Sequence, residues 1–234
     1  LINNVEQESL HSLRRGIFVK KKISKGDVIL SKDIYFAFPP KKNQYTANDY
    51  SKYSSFKAKT EIKKDEAVSK NNSSISYHRL MLEEITKKVN GIISAAEIKL
   101  PSSIQMEISH HYGLEKFNEY GMVIFTLINR AYCKKLLISL PGQVHPAQYH
   151  KKKEESFLLM YGDLTLTLDN KNIKMKLGEV VTIEKGMVHQ FSSKKGAIVE
   201  EISDTHNTDD SFYIDDKINL NDNRKTFINF YKNL

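Results

Sequence analysis

The stretch that decides the fold reads PGQVHPAQYHKKKEESFLLMYG and runs from Pro141 to Gly162. Gln148 and His150 are two residues apart, so in a strand their side chains leave the same face of the sheet. Glu155 begins the apolar run that follows, and a hairpin between the two strands brings it beside them. Two interpretations stay open from this spacing: a divalent metal site, or a charged hairpin with solvated side chains.

A second stretch, LGEVVTIEKGMVHQF (177–191), places His189 at the start of another strand. Two neutral imidazoles and a carboxylate that face one cavity are a suitable ligand set for a divalent ion, with a position left for substrate. His145 lies out of phase with Gln148 and precedes Pro146, so we expect it in a turn. His110 and His111 are adjacent, so we expect at most one of them to face the barrel.

Composition limits the classes of protein to consider. The chain has 234 residues, a formal charge of +8 and 40% hydrophobic residues, enough for one large or two small cores. Cys133 is the only cysteine, which excludes a disulfide framework and a cysteine-rich zinc site. No apolar run approaches the roughly 20 residues of a membrane span. We therefore expect a cytoplasmic protein with no membrane partner.

Lysine clusters carry much of the positive charge, at 20–22, 63–64, 151–153 and 194–195. Neither arginines nor stacking aromatic residues cluster with these lysines, so we expect no nucleic-acid partner. An excess of positive charge also suits small anionic substrates. The sequence begins with Leu1, and we expect the chain to be a piece of a longer protein.

Two strand-rich blocks and one helix organise the chain. In the first block, KKKISKGDVILSKD and KTEIKKDEAVSK repeat one scheme, a polar turn that leads into a short strand. Apolar residues at helical spacing then predict a helix over 76–96. Turn-punctuated β-type runs in the second block predict a small barrel or sandwich. The expected strands are 122–128, 134–140, 155–161, 164–168, 172–176, 179–183, 188–193 and 197–203.

The second block resembles the cupins. Their motif G-x5-H-x-H-x3,4-E-x6-G is matched over 142–162, except that Gln148 replaces the first histidine. Their motif G-x5-P-x-G-x2-H is matched over 178–189, with Glu184 in place of proline. The resemblance implies a cupin β-barrel (double-stranded β-helix) that binds a divalent metal ion, whether Mn, Zn or Fe. The implied ligands are Gln148, His150, Glu155 and His189, a set similar to that of type I phosphomannose isomerases.

Within the cupins, the block looks like D-lyxose isomerase-like sugar isomerases. Lys153 and Glu155 hold the positions of a lysine and a glutamate of that family. The acidic stretch DTHNTDDSFYIDD (204–216) is similar to a family segment near the sugar, which implies that Asp209 and Asp210 approach a sugar hydroxyl; a solvated loop is the alternative. Glu201 shares a strand face with Val199, which favours an inward carboxylate. The candidate catalytic residues are Glu155, Lys153 and Glu201.

The first block resembles the antifreeze-like, or SAF, domain at the C-terminal end of sialic acid synthases. The likeness is carried by Arg14 and Arg15 before a short strand, by the turn I-x-K-G-D and by KDI. It implies a β-clip domain that caps a partner's active site, with one of the two arginines on an N-acyl sugar. Two exposed arginines at the end of a linker are the alternative.

The order of the blocks predicts a mainly β chain with five segments and three candidate functions. The first is the C-terminal part of a sialic acid synthase-like enzyme, dimeric at full length, which condenses phosphoenolpyruvate with an N-acyl sugar on a barrel absent here. The second is a metal-dependent aldose–ketose isomerase acting on a small sugar, and the third a non-catalytic sugar-sensing or dimerisation cupin. The segments are a linker remnant (1–11), the SAF-like domain (12–70), a helical connector (71–105), the cupin barrel (106–216) and a helical tail (217–234).

Overall fold

A computed structural model describes residues 6, 9–10, 12–51, 53–221 and 223–231. The chain divides into two compact units, Leu1–Glu83 and Glu84–Leu234. The linker predicted at 1–11 falls mostly outside the described residues. No helix of the described part is both long and apolar enough to cross a membrane.

The first unit contains two small antiparallel sheets, one formed by β1 and β3 and the other by β2, β4 and β5. Short apolar runs between polar turns supply its core, which includes Ile17, Val19, Phe56 and Val68. Because each strand is short, loops carry much of the chain around this core. The strands are β1 (Gly16–Val19), β2 (Val28–Ile29), β3 (Ile34–Ala37), β4 (Ser54–Ala58) and β5 (Ser73–Tyr77).

The turn of the internal repeat is present in both copies, but only the first copy leads into a strand, β2. Ile23 and Ile62 hold equivalent places in the two copies, and each donates its N–H to the other's carbonyl at 2.9 Å. Three residues later, Gly26 has φ 91° and Asp65 has φ 61°. Glycine adopts this left-handed conformation without a Cβ penalty, while aspartate tolerates it. The two copies of the repeat therefore adopt the same turn conformation.

The helix predicted over 76–96 forms as α1 (Arg79–Ala95). It begins later than predicted because residues 73–77 pair with β4 as a strand. Its apolar side chains recur at helical spacing, and Leu82, Ile85 and Val89 are buried.

The second unit consists of a seven-stranded and a five-stranded antiparallel sheet. The first has the order β13-β10-β15-β8-β7-β6-β17, and the second has the order β12-β11-β14-β9-β16. Strands of both sheets contribute to one apolar cluster, as Phe157 on β10 and Phe191 on β14 show. The strands are β6 (Ser103–His110), β7 (Gly121–Asn129), β8 (Tyr132–Ser139), β9 (Val144–Tyr149), β10 (Glu155–Gly162), β11 (Leu164–Leu168), β12 (Lys171–Met175), β13 (Val180–Ile183), β14 (His189–Ser192), β15 (Ala197–Asp204), β16 (Phe212–Tyr213) and β17 (Lys225–Tyr231).

All eight expected strands are present, as β7, β8 and β10 to β15, with ends that differ by at most two residues. The helical tail predicted over 217–234 is wrong for most of its described residues. A four-residue helix, α3 (Asp216–Asn219), is followed by β17, which pairs antiparallel with β6. Phe230 is buried while Phe227 and Tyr231 are exposed, the alternation of a strand with one covered face. A further four-residue helix, α2, spans Phe117–Tyr120.

Candidate functional site

Four predicted ligand side chains come together where β9, β10 and β14 meet. His189 lies opposite Gln148 in the β14–β9 register, and their side-chain nitrogens are 3.2 Å apart. Glu155 Oε1 is 3.0 Å from His189 Nε2, and Oε2 is 3.6 Å from His150 Nε2. All four residues are buried. The predicted hairpin between the two strands is wrong, because β9 belongs to the five-stranded sheet and β10 to the seven-stranded sheet. The connection at 150–154 joins the two sheets and brings these groups to one point.

The two imidazoles turn their Nε2 atoms toward this point. His150 Nδ1 donates to the backbone carbonyl of Asp210, and His189 Nδ1 donates to that of Met187 at 3.2 Å. With Nδ1 protonated, a neutral imidazole carries a lone pair on Nε2. Backbone carbonyls thus fix both tautomers, as is common for histidines that bind metals.

The donor set fits a divalent ion. Ligand atoms of His150, Glu155 and His189 lie within 4.8 Å of one another. His150 Nε2 and Glu155 Oε1 are buried without a hydrogen-bond partner among the described residues, and Glu155 Oε1 faces the Nε2 of His189. Acceptors that face one another in a buried site need a cation between them. A rotation of the Gln148 amide would add its oxygen as a fourth ligand.

Burial and charge set the protonation states of the ligands. Burial lowers the pKa of His150 and keeps its imidazole neutral at neutral pH. Burial raises the pKa of Glu155, but the ammonium of Lys153 outweighs it and holds that pKa well below its ordinary value. The site therefore offers neutral imidazole and ionised carboxylate, the forms that bind metals.

Lys153 links the metal-facing carboxylate to a second one. Its Nζ is 2.5 Å from Glu155 Oε2 and 2.8 Å from Glu201 Oε1. Burial lowers the pKa of Lys153, but the two carboxylates outweigh it and raise the pKa above its ordinary value. Lys153 is therefore a fully charged ammonium in a closed site.

Glu201 lies on the inner face of β15, and each hydrogen bond that its side chain accepts from the described residues goes to the Oε1 atom. Lys153, Lys135 at 3.3 Å and Ser203 at 3.3 Å donate to this oxygen. Burial raises the pKa of Glu201, but Lys135 and Lys153 outweigh it and lower that pKa. Sequence reasoning missed Lys135, although a lysine on the same strand face as Leu137 in YCKKLLIS was a signal for it.

The carboxylates of Asp209 and Asp210 both contact the loop between β9 and β10. Asp209 is exposed, and its carboxylate pairs with Lys152 at 3.1 Å. Asp210 is buried, and its carboxylate accepts hydrogen bonds from the backbone N–H groups of Lys151 and Lys152. Both carboxylates are taken up by neighbouring protein groups, because the segment folds back on the loop between β9 and β10. Asp210 thus holds the loop that carries His150.

The turn expected for His145 is wrong. His145 is a buried residue of β9, stacked on Phe191 with ring centroids 4.6 Å apart. The register shifts between His189, opposite Gln148, and Phe191, opposite His145, so β9 carries an irregularity at Pro146. An extra residue in a strand reverses the facing of the side chains beyond it. His145 consequently lies on the inner face.

His110 and His111 are both buried and contact different groups. His110 bonds to Thr226 on β17, while His111 Nε2 is 3.1 Å from the hydroxyl of Tyr213. Burial lowers the pKa of His111 to about 4. His111 therefore serves as a neutral hydrogen-bonding group beside His145, whose ring is 4.8 Å away.

Arg14 and Arg15 belong to the first unit and are exposed. The guanidinium carbon of Arg15 lies 5.9 Å from the centroid of the Phe36 ring. Neither side chain forms an ion pair with a carboxylate among the described residues.

The cavity around the metal-facing groups has a second polar wall that sequence reasoning missed. It is lined in part by Glu107 on β6, Tyr213 on β16, Arg224 just before β17 and Lys225 at the first position of β17. The signal was hidden because the tail was read as a helix, which does not place these residues beside β6.

Comparison with known proteins identifies a cupin domain. The cupin domain family matches residues 136–201. The chain is 27% identical over 160 residues to the D-lyxose/D-mannose isomerase of Thermosediminibacter oceani, covering 56% of this chain and 88% of the relative. The mainly β, cupin-like fold expected from the motifs is confirmed.

An L-ribose isomerase of known structure agrees with this fold. The L-ribose isomerase of Cellulomonas parahominis with L-ribose has a TM-score of 0.51 at 14% identity, covering 61% of this chain and 94% of that one. A spore coat polysaccharide biosynthesis protein E from Chromobacterium violaceum is 39% identical, covering 32% of this chain and 22% of that one. Its TM-score of 0.31 is too low to indicate a common fold.

Proposed function

We propose that the second unit is a metal-dependent aldose–ketose isomerase acting on a small sugar. One observation carries the proposal: two buried carboxylates, Glu155 and Glu201, flank the ammonium of Lys153 beside two imidazoles. A site of this kind offers metal ligands and a proton-transfer group within one cavity. The similarity to a D-lyxose/D-mannose isomerase supports this reading over the other candidates.

Gln148, His150, Glu155 and His189 would hold the ion, which would polarise the sugar's carbonyl and its neighbouring hydroxyl. Glu201 takes the proton from the carbon that bears the neighbouring hydroxyl and returns it to the carbonyl carbon. The hydroxyl proton passes to the former carbonyl oxygen, so the isomerisation consumes no net proton. No hydrogen bond from the described residues reaches its Oε2, which is the oxygen we assign to this transfer. Glu155 would be the poorer base because its carboxylate would bind the ion.

Lys153 stabilises the charge that develops during the transfer. Its ammonium stays protonated between the two carboxylates and donates to the sugar oxygen that gains negative charge. Phe157 and Phe191 line the same cavity and make its floor apolar. An apolar floor keeps water away from the carbon that has lost its proton.

The test is hydrogen exchange. The purified chain, loaded in turn with Mn²⁺, Zn²⁺ or Fe²⁺, is incubated in deuterated water with D-lyxose, D-mannose and L-ribose and followed by NMR. We expect deuterium at the carbon beside the carbonyl, together with ketose product. Tight sugar binding without exchange would favour the non-catalytic sugar-sensing module instead.

A second candidate concerns the first unit: we propose that it is the sugar-capping, SAF-like part of a sialic acid synthase-like protein. The paired turns around Ile23 and Ile62 support a compact repeat of the expected kind. Arg14 and Arg15 precede β1 and are exposed, which suits a guanidinium that reaches a ligand on another body. In that setting, the condensation of phosphoenolpyruvate with an N-acyl sugar takes place on a barrel outside this chain.

The capping role is tested by kinetics in a longer protein that contains this chain. Arg14→Ala and Arg15→Ala are compared with Arg79→Ala, an exposed arginine of α1. We expect one of the first two to raise the KM for the N-acyl sugar while Arg79→Ala leaves it unchanged. Equal kinetics in all three variants would remove the capping role.

A further inference from the structure

One guanidinium in the cavity of the second unit has no anionic partner. Lys225 pairs with Glu107 at 2.7 Å, Lys135 pairs with Glu201, and Lys153 pairs with both metal-side carboxylates. Arg224 lines the same cavity and forms no ion pair with any described residue. The lining thus has one more cation than carboxylates, before a metal ion adds its own charge.

The protein holds Arg224 in place from one side. Its guanidinium carbon lies 4.9 Å from the centroid of the Tyr213 ring, and Tyr213 shares a hydrogen bond with it. The hydroxyl of Tyr213 is in turn 3.1 Å from His111. Arg224 Nη1 is nevertheless buried and has no hydrogen-bond partner among the described residues. A buried guanidinium donor without an acceptor is costly, so the site is incomplete without a ligand.

The position of Tyr213 relates Arg224 to the metal-facing groups. Tyr213 on β16 lies opposite Gln148 on β9. Side chains that are opposed in this way have Cβ atoms about 5 Å apart. Arg224 packs on the Tyr213 ring, so one small ligand can reach both it and the point near Gln148.

We propose that the sugar substrate carries an anionic group, phosphate or carboxylate, which binds Arg224 with Lys225 beside it. The inference rests on the proposed isomerase function and names its class of substrate. A guanidinium suits this task because two parallel N–H donors match two oxygens of either group. Lys225 adds charge from the same wall while Glu107 fixes its direction.

Isothermal titration of the complete chain tests the subsite with D-mannose, D-mannose 6-phosphate and D-mannuronate. We expect at least one charged sugar to bind about tenfold or more tightly than D-mannose, as for a charge-assisted hydrogen bond pair. Comparing D-mannose 6-phosphate with D-mannuronate shows which anionic group the subsite prefers. Repeating the titrations after chelator treatment separates binding to Arg224 from binding to a metal ion.

Variants locate the preference. Arg224→Gln should abolish it while leaving D-mannose affinity within about twofold, and Arg130→Gln, an exposed arginine, should keep it. Equal affinities for the three sugars on the unmodified chain, or a preference that survives Arg224→Gln, would overturn the subsite. If neutral sugars exchange deuterium but charged sugars bind no more tightly, the isomerase function holds and the anionic subsite fails. If charged sugars bind through Arg224 but no sugar exchanges deuterium, the anionic subsite holds and the isomerase function fails.

Discussion

Two lysine–glutamate pairs join β8 and β15 on opposite faces of one sheet. Lys134 and Glu200 meet outside at 2.8 Å, where the lysine side chain is 36% exposed. Lys135 and Glu201 meet inside at 3.3 Å, where the lysine side chain is 6% exposed. The residue types are the same and the positions are adjacent, so the difference lies in the surroundings alone.

The outer pair is partly solvated, with the Glu200 side chain 14% exposed, and should contribute less to stability than a fully buried pair. The inner pair has lost its water, and the attraction between the two charges must offset that loss. Apolar residues would fill the inner positions at least as stably. A buried charge network is therefore better explained by the chemistry of the cavity than by folding, and the Glu201 and Lys153 variants below test that contrast.

The largest effect is expected on turnover. Glu201→Gln removes the proposed base and should lower kcat by about a thousandfold, because positioned acid–base groups contribute roughly 10²–10⁴. Glu200→Gln, one residue away on the outer face, should leave kcat unchanged. Initial rates of ketose formation under saturating sugar check both. If the two variants lose activity equally, the assignment of the inner face as the reacting face fails.

The second largest effect is expected on the free energy of unfolding, which should differ between variants of the buried Lys153 and the partly exposed Lys134. Lys153→Met leaves Glu155 and Glu201 buried without their shared cation, and breaking a buried pair costs about 3–5 kcal/mol. Lys134→Met should cost less than about 1 kcal/mol. Urea unfolding with chelator present, so that no ion replaces the lost charge, gives both free energies. Similar costs for the two variants would mean that the buried network is dispensable.

The pH dependence of stability should report on His111. Its folded pKa of about 4 lies below the ordinary value of 6.5, because burial disfavours the charged ring. Between these values the unfolded chain binds the additional proton, so stability is complete above pH 6.5 and falls as pH decreases toward 4. The full loss is about 3 kcal/mol. The groups around the ring include Arg224, Lys225 and His110, which oppose its protonation.

His111→Gln isolates this contribution. The amide retains hydrogen-bonding capacity toward Tyr120 and Tyr213 but cannot titrate. Thermal unfolding between pH 7 and pH 4 should therefore be less pH-dependent in the variant than in the unmodified chain. Parallel curves would show that His111 is not the group responsible.

Local patterns predicted the strands well and the site in part. Alternation and turn residues are properties of neighbouring residues, so β7, β8 and β10 to β15 could be identified from the sequence. The motif spacing of Gln148, His150 and Glu155 also made their convergence predictable, although the connection between β9 and β10 joins two sheets and is not a hairpin. The face of Glu201 could be inferred from its neighbour Val199.

What the sequence did not reveal depends on long-range pairing. The irregularity at Pro146 moves His145 to the inner face, and nothing within the strand announces it. Arg224 reaches the cavity only because β17 pairs with β6, more than a hundred residues earlier. Asp210 resembled a sugar ligand by composition, yet the fold gives its carboxylate to two backbone N–H groups.

The smallest effect is expected for the adjacent residues Asp209 and Asp210. They differ in burial, as the two lysines do, because Asp210 is buried and Asp209 is exposed. Asp210→Ala frees the backbone of Lys151 and Lys152 and loosens the carbonyl that orients His150. We expect metal affinity to fall by about 10–100-fold, the usual cost of losing such outer support. Asp209→Ala removes only an exposed ion pair and should leave the affinity unchanged. Competition with a chromogenic chelator measures both, and equal affinities would show that His150 is held by its own strand rather than by this segment.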